Sequence, residues 1–138
     1  MTYCSQQNLI DRFGQSELIQ NTNRDNNSAT TINATVLDQA IADATAEING
    51  YLTAYLPLSI IPANLVRIAC DITRYYLYED QINVRVDTLY KQAIDYLKLV
   101  ASGKIPLAPD LTGQVDIPTE ALVDFSSSPS AFGRSNNF

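Results

Sequence analysis

Between residues 34 and 103, apolar side chains return every three or four positions in three successive stretches. That spacing commits the chain to amphipathic helices packed on one another, because each stretch presents an apolar stripe that must be covered. In the first stretch, residues 34–55, Leu37, Ile41, Ala44, Ile48, Tyr51, Leu52 and Tyr55 share one face, with Asn33 placed to cap the helix. Ala42, Ala46 and Gly50 form a strip of small residues on its far side, and Asp43 and Glu47 lie off the core face as like charges one turn apart. A glycine inside a helix costs about 1 kcal/mol relative to alanine, which a close backbone approach would offset; a solvated back face with no partner is the plainer reading of the strip.

Pro57 and Pro62 bracket a turn, and Pro62 suits the start of the second stretch, residues 62–80. There Leu65, Ile68, Ala69, Ile72, Tyr75 and Tyr76 make one stripe, and Val66, Cys70 and Leu77 make another on nearly the opposite side. A helix apolar on two sides is buried between neighbours, which places this one at the centre of the bundle and makes Cys70 a small core residue. The third stretch, residues 84–102, turns Val86, Tyr90, Ala93, Ile94, Leu97, Val100 and Ala101 inward. It stops at Gly103, with Pro106 beyond. Asp87, Lys91, Asp95 and Lys98 read as a solvated charge ladder, and Leu99, stranded on the polar side, is a candidate interface residue.

Ahead of these stretches, Ser5 caps a short helix with Leu9, Ile10 and Phe13 on its apolar face, and Gly14 stops it. A further turn, residues 16–20, carries Leu18 and Ile19, and residues 21–28 read as an Asn-rich loop. After Gly103 the periodicity ends. Residues 104–138 hold four of the six prolines and a serine-rich run, with Phe125, Phe132 and Phe138 spaced singly. The expected architecture is all-α: a helical bundle domain of about four helices over residues 1–103, built around a long central helix, and an extended, irregular C-terminal arm over residues 104–138.

The composition excludes several chemistries. At 138 residues one domain is expected, and there is no histidine, which removes a Ser-His-Asp triad, imidazole metal sites and a histidine pH switch. The two cysteines, Cys4 and Cys70, are far apart in sequence and fit neither a disulfide scaffold nor a thiolate zinc site. Nine Lys and Arg face fifteen Asp and Glu, for a net charge of −6, which argues against wrapping DNA or RNA. With no signal-peptide pattern at the N-terminus and no long apolar run, a soluble intracellular protein is expected. Asp25, Asn26, Asn27 and Ser28 lack the glycine and distal glutamate of a calcium loop and read as an Asx turn. Arg67, Asp71, Arg74 and Tyr78 make a polar edge on the central helix, where Arg67 and Asp71 are spaced to pair internally. No phosphate loop, nucleophile elbow or paired-carboxylate cleft is visible, so no enzyme, catalytic residue, metal or cofactor is expected.

The order of these segments resembles that of the phage Mu-like head–tail joining proteins, a connector or adaptor family. Residues 3–14 look like its opening helix, and Glu17, Leu18, Ile19 and Gln20 follow as they do there. Residues 44–52, 69–78 and 90–98 match its later helices; Gly103, Lys104 and Ile105 close the helical part, and residues 127–138, with Phe132, Gly133, Arg134 and Phe138, resemble its C-terminal end. The family's usual acidic turn is replaced here by the Asn-rich one, which argues further against a cation there. The resemblance implies a structural virion protein of the head–tail interface, assembled in the host cytoplasm. It implies a homo-oligomer, commonly a dodecameric ring closing from a monomer or small oligomer, beneath a portal protein. That ring would dock a tail-completion or tail-tube protein and pass DNA through its lumen without sequence-specific binding or a membrane. On this reading Ala42, Ala46, Gly50 and Leu99 are subunit-interface candidates. Phe125, Phe132, Arg134 and Phe138 belong to an arm that grips the portal or a neighbour, and Asp43 and Glu47 face the channel. A tail-completion protein of the same virion and a cytoplasmic helical regulator are the alternatives.

Overall fold

The computed structural model describes residues 2–78 and 81–107. Among them the fold is all-α, with five α-helices: α1 (Gln6–Phe13), α2 (Gln15–Thr22), α3 (Ala34–Tyr51), α4 (Ala63–Tyr78) and α5 (Val84–Ala101). A 3-10 turn (Thr53–Tyr55) follows α3. As its two apolar stripes predict, α4 is the central element, touching each of the other four helices. Leu65, Ile68, Ala69, Cys70, Ile72 and Leu77 on α4 are all buried. They meet Leu37, Ile41, Ala44 and Ile48 from α3, and Ala93, Leu97 and Val100 from α5, in one continuous core. Each buried Leu or Ile contributes roughly 1.5–3 kcal/mol of apolar transfer, which holds helices this short in place.

Local chemistry sets the ends of the helices. The Ser5 hydroxyl accepts from the Asn8 N–H while Asn8 Oδ1 accepts from the Ser5 N–H, a capping box with Asn at the far position. Asn33 Oδ1 accepts from Thr35 and Val36 N–H at the start of α3, and Asn83 Oδ1 from Val86 N–H at the start of α5. At the end of α5, Gly103 takes φ +80°; its N–H donates to Val100 and the Lys104 N–H to Leu99, closing a Schellman motif.

Three boundaries differ from the sequence reading. Residues 16–20 are not an isolated turn but the middle of α2, because Gly14 at φ +90° ends α1 and begins α2 with no linker between them. The first long helix stops at Tyr51 rather than 55: the Thr53 hydroxyl reaches back to the Asn49 carbonyl, and Leu56, preceding Pro57, is extended. The chain also continues to pack after Gly103, with Leu107 fully buried against the bundle. Cys4 and Cys70 meet in the core despite their separation in sequence. Cys4 Sγ lies 3.6 Å from Thr73 Oγ1, and its interaction with Cys70, together with burial, pushes the Cys70 thiol upward.

Candidate interaction surface

The outward half of α3 divides into two strips. Ala42, Ala46 and Gly50 are exposed on the side away from the core, and a Cβ built at Gly50 would meet nothing within 4 Å. Among the described residues, then, nothing approaches the glycine, and the strip is a solvated back face. Asp43 and Glu47 lie along the flank nearer to α4 and α5. Asp43 is exposed and accepts from Gln39 Nε2 at 3.0 Å. Glu47 is half-buried and turned to the bundle: Oε1 accepts from the Tyr76 hydroxyl at 2.6 Å, and Oε2 from the Tyr90 hydroxyl at 3.0 Å.

Those phenols belong to an aromatic cluster joining α4 to α5. Tyr75 stacks on Tyr90 with ring centroids 3.8 Å apart, and Tyr76 packs edge-on against both. Burial and the Glu47 carboxylate both favour the neutral phenol, so Tyr76 is shifted upward and Tyr90 is pushed up to about 12. Beside the cluster, Tyr75, Tyr76 and Leu77 form a groove with Val36, Ala40, Asp43 and Ile82.

Leu99 on α5 is 40% exposed, as its position on the polar side predicts. Three further apolar side chains are exposed that the periodicity did not single out: Ile60, Ile82 and, most fully, Val84 at 83%. Ile82 and Val84 flank the Asn83 cap, where an apolar residue reads as the start of a helix face rather than as surface. Phe125, Phe132, Arg134 and Phe138 lie outside the described residues.

The polar edge of α4 is deeper than its spacing suggests. Asp71 is only 7% exposed and pairs with Arg67 at 3.4 Å; burial raises its carboxyl pKa, and the Arg67 guanidinium opposes that shift. Arg74 does not join this pair. Its Nε and Nη2 bond both Glu17 oxygens at 2.8 and 3.0 Å, tying α4 to α2, and its guanidinium lies 4.3 Å from the Phe13 ring centroid. In the Asn-rich loop, Asn23 Nδ2 donates to the Ile19 and Thr31 carbonyls, and Asn26 Oδ1 accepts from the Ser28 N–H and hydroxyl. The loop is thus closed by its own amides in Asx-type turns.

Among the described residues no cluster of three or more His, Cys, Asp or Glu could hold a metal, and no helix is long and apolar enough to cross a membrane. The recognisable features of this surface are therefore a small-residue strip, exposed apolar positions, a tyrosine cluster and an arginine-rich edge.

Comparison with known proteins places the chain in a family. The chain is 35% identical to gene product J of Escherichia phage Mu over 101 residues, covering 72% of each protein. It is 33% identical to the Mu-like prophage FluMu protein gp36 of Haemophilus influenzae over 104 residues, covering 73% of this chain and 72% of that one. The family described as Bacteriophage Mu, Gp36 matches residues 3–124, which takes in every helix among the described residues; the chain belongs to that family.

Proposed function

We propose that this chain is a structural virion protein of the head–tail junction, a connector that closes into a homo-oligomeric ring beneath the portal and offers the docking surface for the tail. Membership of the Mu Gp36 family over residues 3–124 carries the reading. The surface supports it with a place for subunits to meet. On the side of α3 away from the core, Ala42, Ala46 and Gly50 stand exposed with open space at Gly50, and Leu99 is exposed on α5. A small-residue strip on one copy and a protruding apolar patch on the next make a head-to-tail contact, and such contacts generate rings when the rotation closes.

In this assembly Asp43, the solvent-exposed carboxylate, is directed to the lumen, while Glu47 beside it is turned to the bundle and held by Tyr76 and Tyr90. A net charge of −6 suits a conduit that repels phosphates and lets DNA slide. The C-terminal residues Phe125, Phe132, Arg134 and Phe138 serve as the arm that grips the portal or a neighbouring subunit, with aromatic anchors as the expected chemistry. Ring closure takes place on the portal, in the host cytoplasm during assembly, and the free chain is a monomer or small oligomer. Electron microscopy of the chain mixed with its portal protein tests the proposal. An added ring is expected, whereas binding to the tail-tube protein alone would make the chain a tail-completion protein instead.

A further inference from the structure

Four of the chain's six arginines line one open cavity of about 420 Å³, although the molecule as a whole is acidic. Arg12 comes from the last turn of α1, Arg67 and Arg74 from α4, and Arg85 from the first turn of α5, so three separate helices deliver guanidiniums to one place. Phe13 and Leu89 supply apolar wall, and the buried Asp71 lies among them.

The charges in this cavity do not balance. Arg74 is matched by its bidentate bond to Glu17. Arg67 shares itself between Asn64 and Asp71, leaving Asp71 as one carboxylate against the three guanidiniums of Arg12, Arg67 and Arg85. Among the described residues no ion pair engages Arg12 or Arg85, and both are exposed. Arg85 also sits at the wrong end of its helix: the N-terminus of α5 carries the positive end of the macrodipole, where a cation is disfavoured and an anion attracted. Its position works against the isolated fold and in favour of an anion arriving from outside.

We infer that this cavity is a docking site for a short acidic protein segment that presents two carboxylates. Three guanidiniums against one carboxylate leave two positive charges unmatched, which sets the charge of the occupant. The planar guanidinium fork bonds a carboxylate through two parallel N–H donors, and the Phe13 and Leu89 walls take the methylene stems and apolar neighbours of acidic side chains. Nucleic acid fits less well. A polyanion is repelled at range by the net charge of −6, and tracking its backbone requires an extended basic groove rather than one compact cavity. The inference stands apart from ring closure, which uses α3 and Leu99.

The test is fluorescence anisotropy of the full chain with a labelled eight-residue peptide that carries two glutamates around a leucine, alongside its glutamine counterpart and a labelled thymidine octanucleotide. The glutamate peptide is expected to bind more tightly than the glutamine one. The double variant Arg12→Ala/Arg85→Ala should weaken it by about tenfold or more, since charged hydrogen bonds are lost. Both positions are exposed, so circular dichroism should show the same helix content in the variant. Lys98→Ala/Lys104→Ala, which removes equal charge elsewhere, should leave the peptide affinity unchanged. Equal binding of the two peptides, an unchanged affinity in the arginine variant, or tighter arginine-dependent binding of the oligonucleotide would each overturn the inference.

Discussion

Glu47 shows how much a single residue can differ from its place in a pattern. By spacing it is an off-face acid, yet its carboxylate holds the hydroxyls of Tyr76 and Tyr90 and so joins α3 to both other long helices. Glu47→Ala leaves those phenols without their acceptor and should cost about 1–2 kcal/mol, read as a lower urea midpoint at unchanged slope. Burial of Tyr90, reinforced by the same contact, makes stability depend on alkaline pH. An unfolded tyrosine loses its proton near 10.0, whereas Tyr90 in the folded chain keeps its proton to about 12. Between those values the folded state holds the extra proton, so stability falls as pH climbs through that window. Tyr90→Phe should flatten the fall, measured as urea midpoints at intervals from pH 9 upward. Spacing alone could not find this triad, because hydroxyl and carboxylate are brought together by packing between helices rather than by period within one. The meeting of Cys4 with Cys70 and the convergence of Arg12, Arg67 and Arg85 were hidden for the same reason.

At the scale of elements, most of the fold was legible. Apart from Ala101, which is exposed, the stripes on α3, α4 and α5 fall on buried or half-buried faces, and the two-sided stripe on α4 placed it centrally, because apolar periodicity directly reports which faces lose water. Capping residues Ser5 and Asn33 marked their helix starts, since short polar side chains satisfy the first free N–H groups. Glycine is harder to read, because its conformational range lets it stop, join or merely weaken a helix. Gly14 and Gly50 separate these roles, for an added Cβ would meet nothing within 4 Å at either. Gly14→Ala should nonetheless destabilise by about 1–2 kcal/mol, because alanine resists the positive φ that joins α1 to α2. Gly50→Ala should stabilise the free chain by about 0.5–1 kcal/mol, because the residue is ordinary helix. Opposite shifts in urea midpoint are the expected result. If the strip on α3 is a subunit contact, the stabilised Gly50 variant should also assemble less well.

For the whole molecule, the proposed role is assembly. An exposed small-residue strip, an exposed Leu99 and spaced phenylalanines near the C-terminus are the features that the proposed contacts with other subunits would use. Deleting residues 126–138 should abolish portal docking and leave the helical circular dichroism unchanged; a loss of that signal would mean the tail belongs to the core. A subunit interface would lie beyond the reach of sequence patterning, since period distinguishes covered from uncovered faces but not which uncovered face a partner takes. Negative-stain electron microscopy of the purified chain mixed with its portal protein is the most direct measurement. A ring of added density on one end of the portal is the predicted result, and portal particles unchanged by a saturating excess of the chain would contradict it.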